Sequence, residues 1–165
     1  MTRAITIALL LSALSAPTWA DAKGFSIGAG GVTTTTSDCS GCDTSGAVLE
    51  AGMDFNRIFG LDAKIIRTTY DDMSGDIDAV YAGVNVGHTF NTRWLRLYGK
   101  VGFTSVTETV PGHEDYSDNN AVVGVGGRIT PWGDQSRVYF KFELMSSSLG
   151  DNDIGIAVGT LGYKF

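Results

Sequence analysis

The stretch "VYFKFEL", Val138 to Leu144, alternates apolar and polar side chains without a break. Alternation with period two is typical of a β-strand whose two faces meet different surroundings. One face carries Val138, Phe140, Phe142 and Leu144. The other face carries Arg137, Tyr139, Lys141 and Glu143. The stretch therefore predicts a strand, but it leaves open which face is buried.

Seven further runs between Asp21 and Phe165 repeat this period. They are Phe25–Gly30, Ala47–Phe55, Phe59–Ile65, Val80–Val86, Leu95–Thr104, Val123–Ile129 and Ala157–Phe165. The chain has 22 glycines, and no stretch of it is typical of a good helix. It therefore predicts an all-β domain of eight strands. A lipocalin-like soluble barrel, with its apolar face inside, would show the same alternation.

The first twenty residues have a different pattern. Arg3 precedes the apolar stretch Ala4–Leu14, and the small residues of "TWA" end at Ala20. This three-part arrangement predicts a secretory signal peptide, residues 1–20, cleaved after Ala20. Residues 21–165 are then one domain.

The connections between the strands favour a membrane barrel. Long polar connections are predicted after strands one, three, five and seven, at Thr34–Thr44, Tyr70–Asp76, Thr107–Asn120 and Ser146–Asp153. Tight turns are predicted after strands two, four and six, around Asn56-Arg57, Asn91-Thr92 and Pro131–Gln135. Long loops at one end and short turns at the other are the layout of bacterial outer-membrane barrels.

Aromatic residues cluster near the predicted tight turns, at Phe55, Phe59, Phe90, Trp94, Trp132, Tyr163 and Phe165. Such a cluster predicts an interfacial girdle, because amphipathic rings are favoured at the membrane–water boundary.

Charge separates the two faces in the same sense. All charged residues in the long connections are acidic: Asp38, Asp43, Asp71, Asp72, Asp76, Glu108, Glu114, Asp115, Asp118, Asp151 and Asp153. The glycine-rich strand face is predicted to mix Glu50, Asp54, Asp62, Asp78 and Glu143 with Lys64, Arg96, Lys100, Arg128, Arg137, Lys141 and Lys164. A basic side chain facing lipid at the midplane would cost ~2–4 kcal/mol. We therefore predict an eight-stranded antiparallel up-and-down transmembrane β-barrel with this charge network in its lumen.

The sequence resembles the small eight-stranded outer-membrane barrels, the OmpX/Ail-like group and the related OmpA transmembrane domain. The resemblance lies in "LYGKVGF" (Leu97–Phe103), "VVGVGGRITPW" (Val122–Trp132), "VYFKFEL" and "GTLGYKF" (Gly159–Phe165). It implies a bacterial outer-membrane location. It also implies that Leu161, Tyr163 and Phe165 are read by the outer-membrane assembly machinery.

Cys39 and Cys42 lie in a loop-like stretch, "TTTTSDCSGCDTSG". No helix start is present to activate a redox thiol, and no second ligand pair is present for zinc. We predict a disulfide that closes the first loop. The acidic loops lack the full EF-hand spacing, so we predict solvated loops and no metal site.

The sequence restricts the function of the protein less closely than its fold. We expect a non-enzymatic outer-membrane protein, without cofactor or nucleic-acid partner, with an envelope-structural role or a surface interaction or adhesion role. Its partners are expected to be outer-membrane lipid, lipopolysaccharide and an extracellular partner at the loops. The acidic loops disfavour heparin-type ligands. A lipid A-modifying enzyme is one alternative, although His88 lies at the tight-turn rim and no serine is near it. A narrow channel is the other, although eight strands leave room only for side chains.

Overall fold

The computed structural model describes residues 24–36, 44–70, 76–90, 94–109, 116–133, 136–149 and 152–165. The predicted signal peptide and the predicted Cys39–Cys42 disulfide lie outside the described residues. No helix in the described part of the chain is long and apolar enough to cross a membrane.

Eight strands make up the fold, in the order β1 Phe25–Thr36, β2 Thr44–Asp54, β3 Phe59–Tyr70, β4 Asp76–Thr89, β5 Leu95–Thr109, β6 Tyr116–Ile129, β7 Val138–Leu149 and β8 Asn152–Lys164. Each strand pairs antiparallel with its sequence neighbours, and β8 pairs with β1 to close the barrel. The Phe165 amide donates to the Phe25 carbonyl at 2.9 Å at the closing seam. Closure leaves no free sheet edge, so strand pairing satisfies the backbone in lipid. The fold is the predicted eight-stranded up-and-down barrel.

The apolar face of the sheet is on the outside. Phe103, Phe142 and Leu144 are 74%, 59% and 63% exposed, whereas the alternate residues Lys64 and Glu143 are 1% and 2% exposed. A water-soluble protein would bury the first set and expose the second. The outer surface of the barrel is therefore suited to the hydrocarbon core of a membrane. This agrees with the prediction from the alternation in "VYFKFEL" and from the cost of placing charges in lipid.

The two ends of the barrel differ. We call the end that holds the β2–β3, β4–β5 and β6–β7 connections the turn end, and the opposite end the loop end. At the turn end, the Asn56 side chain accepts hydrogen bonds from the Ile58 and Phe59 amides, both at 2.7 Å. Trp132 and Gly133, between β6 and β7, both have φ of 61°. All seven predicted girdle aromatics are exposed: Phe55, Phe59, Phe90, Trp94, Trp132, Tyr163 and Phe165.

The predicted loop bounds at the loop end were partly wrong. Glu108 pairs with Tyr116 and Leu149 pairs with Asn152, so strand pairing continues into stretches that were predicted to be loops. Only residues 150–151 separate β7 from β8. Backbone pairing can continue beyond the membrane, because both faces of a strand can then be polar. The strand therefore continues there, but the alternation of apolar and polar residues that indicates a strand does not.

Candidate functional site

Three lysines and three carboxylates form the centre of the barrel interior, which we call the central charge layer: Glu50, Asp62, Lys64, Lys100, Lys141 and Glu143. They come from β2, β3, β5 and β7, and each lies at an inward position of its strand. Inward positions alternate with lipid-facing ones, so the strand period itself delivers these side chains to one enclosed space. The layer is balanced in formal charge.

Short ion pairs connect the central charge layer across the barrel. Lys64 Nζ lies 2.5 Å from Glu50 Oε2 and 2.8 Å from Glu143 Oε2. Lys100 Nζ lies 2.7 Å from Asp62 Oδ2 and 3.1 Å from Glu143 Oε1. Lys141 Nζ lies 3.0 Å from Glu50 Oε2 and 3.2 Å from Glu143 Oε1. Each of these ions has at least two opposite charges near it, which offsets part of the cost of taking it out of water.

Tyrosines extend the network and fill the space between the charges. Tyr98 donates to Glu143 Oε1 at 2.8 Å, and Tyr139 donates to Glu50 Oε1 at 3.1 Å. Their rings require glycine opposite, because a Cβ at Gly126 would lie 2.5 Å from Tyr98 and one at Gly162 would lie 2.1 Å from Tyr139. The glycine-rich inner face is therefore the space that these tyrosines occupy.

A second group of charges lies nearer the turn end. The guanidinium groups of Arg96 and Arg128 both form ion pairs with the Asp54 carboxylate. Arg128 Nη2 lies 2.5 Å from Asp54 Oδ2. Arg96 also donates to Asn85 Oδ1 at 2.7 Å and to the Ile58 carbonyl at 3.1 Å. The structure thus brings nine of the twelve charged residues that were predicted for the lumen into two layers, which Asn85 connects through Asp62 and Arg96.

Towards the loop end the interior contains a cluster of buried apolar side chains, which the sequence analysis missed. This apolar layer consists of Val32, Val48, Ile66, Ala79, Tyr81, Val122, Met145 and Val158. The sequence does contain a sign of it. Several of these residues stand beside a lipid-facing apolar residue, as in Val48-Leu49, Ile65-Ile66 and Val122-Val123. Such a doublet marks a position where both faces of a strand are apolar.

Two predicted lumenal charges lie elsewhere. Asp78 is exposed on the outer face at the loop end, where its carboxylate lies 3.3 Å from Arg67 Nε. Tyr81 and Asn85 are inward residues of β4, and Asp78 has the opposite parity. Arg137 precedes β7 and is exposed, and its guanidinium donates to the Tyr163 hydroxyl at 3.1 Å. That hydrogen bond raises the pKa of Arg137.

The closing strand puts the three residues of the predicted assembly signal on the outside. Leu161, Tyr163 and Phe165 are 52%, 38% and 68% exposed. The Phe165 ring packs against Tyr163 and Phe25, with centroid distances of 5.2 and 5.7 Å. These side chains form an accessible aromatic strip at the seam between β8 and β1.

His88 lies on the outer face near the turn end. Its ring packs edge-on against Phe90, with a centroid distance of 5.2 Å. Among the described residues, no group of three or more metal-ligating side chains occurs.

Known proteins give a consistent picture of the fold. Over residues 6–165 the chain matches the family described as outer membrane protein beta-barrel domain. A comparison with curated protein sequences finds no match.

Three solved structures illustrate the likeness. Ail, the attachment invasion locus protein of Yersinia pestis, is 19% identical, with a TM-score of 0.61 over 87% of this chain and 97% of that chain. OprG from Pseudomonas aeruginosa is 14% identical, with a TM-score of 0.57 over 87% and 96%. The N-terminal barrel of OprF from Pseudomonas aeruginosa is 15% identical, with a TM-score of 0.56 over 85% and 97%. At these identities the likeness shows the fold alone. Because the family match spans nearly the whole sequence and the structure is a closed barrel with a lipid-compatible surface, the chain belongs to the outer membrane protein beta-barrel domain family of the bacterial outer membrane.

Proposed function

We propose that the protein is a non-enzymatic surface protein that acts through its loop end. In this proposal residues 1–20 direct export and are removed, and residues 21–165 insert with the loop end outside the cell. Leu161, Tyr163 and Phe165 engage the assembly machinery. Short turns face the periplasm in barrels of this class, which supports the orientation.

The filled interior is the observation that carries this proposal. A solute would have to pass the apolar layer and then the central charge layer, where Lys64, Lys100 and Glu143 side chains are wholly enclosed. An eight-stranded barrel is just wide enough for such side chains. Because a filled lumen disfavours transport, we infer that the protein acts through the exposed ends of the barrel. Planar-bilayer recording tests this directly: we expect no steady single-channel steps, and such steps would contradict the proposal.

The loop end is acidic, and this limits its partners. Asp76, Asp78, Glu108 and Asp118 lie near the loop-end strand termini, with Arg67 as a basic neighbour. We propose a cationic extracellular partner, or lipopolysaccharide phosphates bridged by divalent cations. Both complement negative charge, whereas polysulfated ligands would be repelled.

Ail provides the comparison for this ligand class, because its structure is known in complex with the heparin analogue sucrose octasulfate. We propose that this chain does not share that ligand. Titration of both barrels with sucrose octasulfate in one detergent tests the difference. We expect binding by Ail alone, and equal binding by the two barrels would contradict the proposal.

A lipid A-modifying enzyme remains the alternative from another functional class. The position of His88 beside Phe90 near the turn end argues against it, since lipid A occupies the opposite, outer leaflet. Mass spectrometry of lipid A from cells with and without the gene should show identical acylation. Altered acylation would favour the enzyme.

The surface role itself needs a whole-cell readout. Intact cells that lack the protein should lose attachment, serum survival or detergent tolerance, and loop-end variants should reproduce the loss without lowering barrel abundance. An unchanged phenotype in all three assays would count against a surface role.

A further inference from the structure

Formal charge is unevenly distributed along the barrel interior. The central charge layer has three acids and three bases. We define the turn-end mouth as Asp54, Arg96, Arg128 and Lys164; it has one acid and three bases. The described mouth therefore has an excess of two positive charges. Unpaired charge in a low-dielectric site is costly, and an anion would offset that cost.

Arg96 and Arg128 face each other directly across the β5–β6 ladder. Like charges at directly opposite positions destabilise a sheet. Asp54 bridges the two guanidinium groups, but the Nε atom of each is buried without a hydrogen-bond partner among the described residues. Arg96 is only 2% exposed. A buried charged donor without an acceptor is expensive, so these two Nε atoms point to a missing acceptor.

Lys164 adds a third cation. It is half-buried and makes no ion pair with any side chain that the structure describes. Strand register places it at the level of the mouth, because its partner Ser26 also pairs with Gly52, which precedes Asp54 by two residues on β2. It pairs across the barrel seam with Ser26, an uncharged residue. Lys164 is thus a half-buried cation at the level of the mouth, without an ion-pair partner among the described side chains.

The mouth lies at the level of the aromatic girdle. Trp94 is 45% exposed, and its carbonyl accepts from the Thr130 amide at 2.7 Å. Trp94 is two residues from Arg96, and the exposed Phe165 follows Lys164 directly. Aromatic belts mark the headgroup region of a membrane. The turn-end mouth is therefore at the depth where lipid phosphates lie.

The space beside the two arginines is small. The enclosed cavity beside Asp54, Arg96 and Arg128 measures about 20 Å³. That volume suits about one water molecule and is too small for a phosphate. The cavity can hydrate the inner ends of the arginines, while a larger anion would have to approach from the Lys164 side.

We propose that the turn-end mouth is a binding site for a phosphate-class oxyanion, contacted by Lys164 and Arg128 at the outer edge of the mouth, with the buried Arg96 adding positive charge. Planar guanidinium groups match phosphate oxygens, and the lysine supplies a further point charge. Two sources share this chemistry: the headgroup of a phospholipid in the adjoining leaflet, and free phosphate. Water alone would satisfy the Nε atoms but would leave the charge excess in place.

Two arms of one experiment separate the sources. The barrel is refolded in a phosphate-free amine-oxide detergent. In the first arm, its thermal unfolding is followed in sodium phosphate and in sodium chloride of equal ionic strength. In the second arm, native mass spectrometry counts lipids retained from micelles doped with phosphatidylglycerol, or with a diacylglycerol of the same acyl chains as the phosphate-free control. We expect phosphate to raise the unfolding temperature above the chloride value, or one phosphatidylglycerol to be retained in preference to diacylglycerol.

Lys164→Gln is the decisive variant, because removing an unpaired cation leaves no partner orphaned. It should raise the phosphate or lipid concentration at half-effect roughly tenfold, as expected for one lost charge-assisted contact. Arg128→Gln should do the same if it folds. Arg67→Gln, which removes an exposed cation at the loop end, should bind as the wild type does. The proposal is overturned if neither phosphate nor phosphatidylglycerol is preferred over its control, or if Lys164→Gln binds as the wild type does.

Discussion

Lys64 and Glu143 lie 2.8 Å apart in the centre of the barrel, and neither side chain is exposed at all. They come from β3 and β7, strands that do not pair with each other. The ion pair therefore crosses the interior and links two opposite parts of the wall. Glu143 also contacts Lys100 and Lys141, so one carboxylate serves three lysines.

Glu143→Leu should be strongly destabilising. It leaves three enclosed ammonium groups with one carboxylate fewer and removes the acceptor of Tyr98. Removing one partner of a buried ion pair costs ~3–5 kcal/mol. Urea unfolding in detergent, read by the heat-modifiable gel shift, measures the loss. Asp78→Asn, in an exposed pair with Arg67, should change the free energy of unfolding by less than ~1 kcal/mol. Similar losses in the two variants would contradict the assigned interior.

Leu144→Lys should block membrane insertion. Leu144 is 63% exposed on the apolar outer face of β7. A lysine at a lipid-facing midplane position costs ~2–4 kcal/mol. The measurement is the folded fraction after dilution into phospholipid vesicles, with Leu144→Val as the control that keeps an apolar surface. Normal insertion of Leu144→Lys would reverse the inside–outside assignment.

Gly162→Ala and Gly159→Ala form a matched pair on β8 with opposite expectations. A Cβ at Gly162 would lie 2.1 Å from the Tyr139 ring, whereas one at Gly159 would meet only Phe142, at 3.8 Å on the outer face. Overpacking should destabilise Gly162→Ala by ~1–3 kcal/mol. Gly159→Ala should be neutral or stabilising by up to ~1 kcal/mol, because glycine weakens a strand. The urea midpoint of Gly162→Ala should therefore lie below the wild-type value, and that of Gly159→Ala at or above it. Equal midpoints in the two variants would contradict the assigned faces of β8.

Met145→Ala separates stability from permeability. Met145 is 4% exposed within the apolar layer, so its truncation leaves a cavity and should cost ~2–5 kcal/mol. Bilayer conductance should nevertheless stay absent, because the central charge layer still fills the lumen. Steady conductance in this variant would show that the apolar layer alone closes the barrel.

The sequence predicted the faces of the strands better than their ends. "VYFKFEL" alternates because Phe142 meets lipid while Glu143 meets the lumen, and both surroundings act on single residues. At Glu108 and Leu149 the alternation has stopped while backbone pairing continues, as is expected where both faces of a strand leave the membrane. The strand ends were therefore misplaced for a physical reason, since the pattern reports surroundings and not hydrogen bonds.

For the lumenal charges, too, the sequence predicted the strand face of a residue but not its contacts. Parity was enough to place Glu50 and Lys141 on the inner face, and it should also have placed Asp78 outside. It could not show that these two ions meet at 3.0 Å across 91 residues of sequence. It also could not show that Arg96 lies directly opposite Arg128.

Sequence alone determined that this chain forms strands with one apolar and one charged face, because a period of two is a local property of each strand. The layout of the connections and the cost of charge in lipid placed the apolar face outside. Tertiary structure decided which inward side chains meet, because contacts across a lumen depend on strand register and on closure of β8 against β1. Closure produces a balanced central charge layer, a loop-side apolar layer and a turn-end mouth with surplus positive charge. Each of these layers is formed by residues from several strands, so the sequence of one strand does not predict it.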